Sequence, residues 1–373
     1  MLNLTSVLDL KCFSASYVAA RQRFLATVHR LPSGLLRSLD SLIHPLTGPK
    51  QEALACDVVQ LGQSDAPQHL LVLICGTHGV EGFAGSAIQN DCLPLLAEVL
   101  QGQESLGVVM IHALNPWGFA WLRRYDHQGI DLNRNFVDFA APLPDNPGYD
   151  QLHVELLQCA EPNTTFGDDS LNRLSQDMGL AAFTEVVTRG QYRHGDGLFY
   201  GGSAPSWSRV LLEQVTAAPQ FAAAQRIAVI DLHTGLGPYG YGEVINDHPA
   251  HSAGFQLAQD WYGDNAQSTE LGESVSGCKQ GLLDFHWHRL MGERGCFVTL
   301  EFGTYAGERL LRSLINEQLL HNRLAASGAA RDIHHEQIQQ LKRFFYPAEI
   351  SWQQQVLFRG RQVVSLALQG MLA

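Results

Sequence analysis

Four short runs, at residues 70–75, 107–114, 227–232 and 297–302, are almost wholly apolar and are bounded by turn residues. A strand with one wet face alternates apolar and polar side chains. A run of this length without alternation suits a strand buried on both faces. Helix-like stretches lie between the runs, at 85–100 and 252–262. Buried strands alternating with helices predict an α/β fold with a largely parallel central sheet flanked by helices.

The rest of the chain adds detail. Tyr17, Ala20, Phe24, Val28 and Leu31 recur at helical spacing and predict a helix over 16–31. Residues 56–62 read as a strand, 138–148 as a surface loop rich in Pro, Asp and Gly, and 309–345 as mostly helical. The tail after Pro347 has alternating pieces at Val363, Ser365 and Ala367 but is ambiguous between strand and helix. No repeat or sharp boundary divides the chain, which predicts a single catalytic domain over 1–373 with a motif-bearing core at about 70–305.

Composition excludes several classes. A 45% hydrophobic, 17% charged chain has ample material for a core. A formal net charge of −12 argues against a nucleic-acid partner, whose phosphates need a basic surface. Cys12, Cys56, Cys75, Cys92, Cys159, Cys278 and Cys296 are scattered, form no CxxC pair and read as reduced, buried residues of an intracellular protein. The start of the chain lacks a secretory pattern, and no apolar stretch is long enough to span a bilayer. A cytoplasmic protein with no membrane partner is expected.

In an open α/β sheet, ligands bind beyond the carboxyl ends of the strands. After the first run comes Gly76-Thr77-His78-Gly79-Val80-Glu81-Gly82. His78 and Glu81, three apart at a helix entrance, share one face and can hold one ion. After the third run comes His233, which completes a set of two histidines and one carboxylate. Such a set leaves an open position on a catalytic zinc. Asp231 stands two residues before His233, as an acceptor for a ligand histidine or as a turn cap. At the end of the fourth run, Glu301 interrupts apolar sequence, where a carboxylate is costly unless paired or used. Beside a zinc-bound water it would be the general base. After the second run come Asn115-Pro116-Trp117-Gly118, then Arg123, Arg124 and Asp131-Leu132-Asn133-Arg134-Asn135. Arginine suits both a developing oxyanion and a substrate carboxylate.

Together these elements resemble the M14 zinc metallocarboxypeptidase family, in an uncharacterised bacterial branch. The resemblance rests on His78-x-x-Glu81, Asn115-Pro-x-Gly118, Asp131-x-Asn133-Arg134-Asn135-Phe136, His233 and Glu301, in that order. It implies a twisted, mixed sheet of about eight strands. It implies Zn2+ on His78, Glu81 and His233, Glu301 as general base and proton donor, and the substrate carboxylate on Asn133 and Arg134. Arg123 or Arg124 would stabilise the oxyanion, with Arg124 preferred. The family's mobile tyrosine has no placed counterpart; Tyr239, Tyr241 and Tyr305 are candidates, and no specificity-pocket residue stands out. Gly76-Thr77-His78-Gly79 and Asp131-Leu132-Asn133-Arg134 also resemble the aspartoacylase and succinylglutamate desuccinylase relatives, which cleave small N-acyl amino acids. The expected substrate is thus a small peptide or an N-acyl amino acid, and a non-catalytic metal-binding module is the alternative from another class.

Two further histidine pairs, His286/His288 and His248/His251, read more simply as packed or surface residues than as a second metal site. Residues 191–202 (QYRHGDGLFYGG) read either as a wall of the cleft or as a structural loop with packed aromatics. No nucleophile elbow, phosphate loop or dinucleotide fingerprint is present.

Overall fold

The computed structural model describes residues 2, 4, 6–158, 168–277 and 279–373. Its strands are β1 (Leu36–Thr47), β2 (Ala53–Gly62), β3 (His69–Cys75), β4 (Leu106–His112), β5 (Arg226–Gly235), β6 (Gly242–Asn246), β7 (Ala266–Ser268) and β8 (Gly295–Gly303). They form one eight-stranded sheet in the order β1-β2-β4-β3-β5-β8-β6-β7. The four apolar runs become the adjacent strands β4, β3, β5 and β8, all mutually parallel. Antiparallel pairings of β1 with β2, β2 with β4 and β6 with β8 make the sheet mixed. The central strands are buried on both faces, which is why their sequences do not alternate.

The edge strands left a weaker trace. β1 is mostly exposed and contains Pro45, inside the register irregularity between Ile43 and Thr47. Proline is tolerated on an edge strand because no partner needs its missing N–H. The expected helix at 16–31 is Tyr17–Val28, capped by Ser16 Oγ accepting from the Ala19 N–H. That at 252–262 is Ala253–Tyr262, and that at 85–100 begins earlier, as Gly82–Gln101. The stretch 309–345 resolves into helices Gly307–Ser327 and Glu336–Phe345.

The alternation in the tail does not mark a strand. Ile350–Leu372 is one long helix that buries Trp352, Val356, Gly360, Val363, Val364, Ala367, Leu368 and Met371. Its Gly360 lies so near Ile88 that a Cβ there would sit 2.9 Å from the Ile88 side chain, so the helix packs closely on Gly82–Gln101. Arg361, which breaks the apolar pattern, reaches Asp91 on that partner helix through a two-point ion pair. Both side chains are 3% exposed.

Five cysteines, Cys12, Cys56, Cys75, Cys92 and Cys296, are free and buried; Cys159 and Cys278 lie outside the described residues. Among the described residues no helix is long and apolar enough to cross a membrane.

Removing one partner of a buried ion pair strands the other charge. Asp91→Ala should lower the unfolding free energy by about 3–5 kcal/mol, read as a shifted denaturant midpoint.

Candidate metal centre

The carboxyl ends of β3, β5 and β8 open onto one cleft, lined by His78, Glu81, Arg124, Asn133, Arg134, His233 and Glu301 among others. His78 follows β3 and precedes a single 3-10 turn, Gly79–Glu81, which leads into the helix Gly82–Gln101. Gly79 is needed there because a Cβ would fall 2.0 Å from the Gly118 carbonyl carbon. The Asn-Pro-Trp-Gly stretch forms the surface it packs on. Asn115 Oδ1 caps the short helix Pro116–Trp121 by accepting from the Gly118 N–H at 2.8 Å. The Val80 N–H then donates to the Arg123 carbonyl, which fixes this turn against the arginine pair.

Ligand atoms of His78, Glu81 and His233 lie within 4.8 Å of one another, and all three residues are buried. His233 Nδ1 lies 3.1 Å from Glu81 Oε2, and its Nε2 lies 2.7 Å from Asp231 Oδ2. Asp231 also accepts from the Thr77 hydroxyl at 2.9 Å, so it orients His233 rather than capping a turn. Burial opposes a charge on His233, but Asp231 and Glu81 outweigh it and hold the imidazole well above its usual pKa. Burial, with Arg124 nearby, pushes His78 well below, so its ring is neutral and able to ligate.

The donor set fits a metal ion. Two imidazoles and one carboxylate match zinc. The buried Nδ1 of His78 has no hydrogen-bond partner, the nearest acceptor being Asp131 Oδ1 at 3.6 Å. A buried ring nitrogen left without a partner is the kind of group an ion satisfies.

Glu301 sits directly beside His233, because β5 and β8 pair in register at those residues. It is 8% exposed and accepts from the Leu236 N–H at 2.9 Å. Burial, reinforced by the charge of Glu81, pushes its carboxyl up to about 7.

The arginine pair divides. Arg124 enters the cleft, donating to Glu81 Oε1 at 2.8 Å and to Asp131 Oδ2 at 3.1 Å, with its other terminal nitrogen 2.7 Å from His78 Nε2. Arg123 points away and is buried against Glu317 and Gln318. Arg134 lines the cleft beneath Phe199, whose ring lies 5.5 Å from its guanidinium and 5.4 Å from that of Arg124. Phe199 belongs to the 191–202 segment, which therefore builds part of the cleft wall. Asn133 Oδ1 accepts from the Leu283 N–H at 3.1 Å.

None of the three candidate tyrosines lines the cleft. Tyr305 donates to Glu349, and Tyr241 packs against Arg359. The further histidines are structural: His248 stacks on His288 at 3.8 Å and accepts from the Phe297 N–H, and His286 lies 2.8 Å from the Thr216 hydroxyl. A second His–His–Asp group, His153, His194 and Asp196, lies outside the cleft, with the Asp196 side chain 59% exposed.

Sequence reasoning passed over Lys279, Asp247 and Asp284, all of which line the cleft. Burial, and then Arg134, lower Lys279 to about 8. No spacing rule links these residues to the histidines; they come from the loops and helix beside β6 and β8.

The chain belongs to the family described as a protein of unknown function (DUF2817), whose model matches residues 13–359. No match was found among curated proteins. Among solved structures it is similar to a carboxypeptidase A from Helicoverpa armigera, at 11% identity over 92% of this chain and 77% of that one, with a TM-score of 0.48. It is similar also to an aspartoacylase family protein from Mesorhizobium loti, at 18% identity over 79% and 68%, with a TM-score of 0.38. A murein-tripeptide amidase from Escherichia coli O157 is similar at 17% identity over 80% and 95%, with a TM-score of 0.33.

The site makes a graded prediction about metal affinity. Purified protein should hold about one zinc per chain, lost in His78→Ala. Asp231→Asn should keep zinc but release it to a competing chelator about 10- to 100-fold more readily.

Proposed function

We propose that this chain is a zinc-dependent hydrolase that cleaves an amide bond next to a free carboxylate. The observation that carries this reading is the pairing of His233 on β5 with Glu301 on β8, which sets a buried carboxylate beside the two-histidine, one-glutamate group.

His78, Glu81 and His233 would hold the ion. Zinc bound there supplies a Lewis acid that polarises a carbonyl and acidifies water. The remaining work belongs to the chain. Glu301 accepts the proton of the attacking water, whose oxygen bonds to the carbonyl carbon. Arg124 faces the same group and stabilises the negative charge that develops on the carbonyl oxygen. Glu301 then passes its proton to the departing nitrogen as the C–N bond breaks, leaving a carboxylic acid and an amine. Arg134 and Asn133, at the cleft wall, hold the substrate's carboxylate. Lys279 adds a third cation to that side.

Glu301→Gln removes the proton acceptor while keeping the shape. It should retain zinc and lose turnover by about 10²- to 10⁴-fold; near-normal kcat in a zinc-loaded variant refutes the assigned role. A second expectation concerns pH. Lys279 is protonated below its pKa of about 8 and neutral above it, so kcat/KM for a carboxylate substrate should fall as pH rises through that value. The fall should shift to higher pH in Lys279→Arg.

A further inference from the structure

The cleft does not use every histidine cluster of the chain. His194 and Asp196 stand two apart in the 191–202 segment, whose Phe199 ring lies over the cleft arginines. Folding brings them against the end of the helix Pro147–His153. Ligand atoms of His153, His194 and Asp196 lie within 4.8 Å of one another. His153 Nε2 is 3.3 Å from Asp196 Oδ1, and the two imidazoles stack with 4.1 Å between centroids. Asp150, one helical turn before His153, places its Oδ1 2.7 Å from His194 Nε2 and so orients that ring, as a carboxylate does for a metal-binding histidine.

This group differs from an ordinary surface ion pair. The His153 side chain is 1% exposed, and its Nδ1 has no hydrogen-bond partner. Stacked imidazoles repel each other if both are protonated, so pairing the two rings with Asp150 and Asp196 as separate cations is self-opposing. A single dication shared by both rings removes that conflict. The backbone is also fixed beforehand. The Arg193 and His194 N–H groups donate to Gln191 Oε1 at 3.0 and 2.8 Å. Gln318 and Asn322 donate to the Asp196 carbonyl at 3.1 and 2.9 Å. Ligands already held in place lose little freedom on binding. Arg193 opposes a cation here, but its charge is taken up by Asp145 and Asp150.

Two imidazoles and a carboxylate suit zinc and its neighbours in the first transition row, whereas Mg2+ and Ca2+ take oxygen ligands. We propose that His153, His194 and Asp196 bind a divalent transition-metal ion of their own, outside the cleft, which clips the 191–202 segment to the helix Pro147–His153. The site stands whether or not the cleft is that of a hydrolase. The Asp196 side chain is 59% exposed, so this ion exchanges with solvent and leaves on desalting, while one held by the buried cleft group is retained. Its occupancy follows free zinc and stiffens the wall that carries Phe199.

The test is calorimetric titration of zinc chloride into the desalted full chain, followed by thermal unfolding of the saturated protein. One zinc beyond that retained should bind, in His78→Ala as well, and should raise Tm. His194→Ala and Asp196→Asn, both at accessible positions, should each weaken that step by more than about 100-fold, beyond what loss of a supporting contact causes. Uptake of no further zinc, or a smaller loss in either variant, overturns the site. A further zinc that disappears in His78→Ala belongs to the cleft and overturns it too. Binding at these residues with Tm unchanged overturns the clip. If the desalted protein retains no zinc, the cleft reading fails by itself, and the same variants still decide this site.

Discussion

Everything at the centre depends on the register of β5 against β8. His233 lies opposite Glu301 and Asp231 opposite Thr299. Because side chains alternate faces, a slip of one residue would turn Glu301 into the apolar layer beneath and present Leu300 to the cleft. That slip is opposed from the other face. Leu232, Leu300 and Phe302 are buried there in one cluster with Trp352 and Val356 of the C-terminal helix. The packing of a distant helix thus holds the Glu301 carboxylate in place.

The second constraint is electrostatic. The site gathers buried charge that would be destabilising if left alone. Glu81 receives Arg124 and the Thr234 N–H, Asp231 receives Thr77 and faces His233, and Asp131 receives Arg124. Each of these carboxylates is satisfied from inside the chain and so orients a neighbour. Among the cleft-lining residues, Asp284, His78 Nδ1 and Arg134 Nε have no hydrogen-bonded partner.

The sequence by itself determined the central strands and the polar residue that follows each. Strands buried on both faces must be apolar throughout, so His78, His233 and Glu301 stand out as interruptions at the ends of such runs. It also contained the arginine pair, but two neighbouring arginines look alike until Arg123 is seen buried against Glu317 and Arg124 is seen at Glu81. The edge strand β1 and the C-terminal helix were hard to read for opposite reasons. β1 is mostly exposed and carries Pro45, and the helix hides its apolar stripe behind Ser365 and behind Arg361, which is buried through its ion pair with Asp91.

Only the tertiary structure decided which loop residues reach the cleft. Asp247, Lys279 and Asp284 lie in segments with no periodic signal, and their meaning comes from folding back onto the face of β8. Alternation and burial are local properties that a sequence records directly. A charge two loops away acquires its place only when the sheet's register and the helices packed on it bring it into the same cleft as His78, Glu81 and His233.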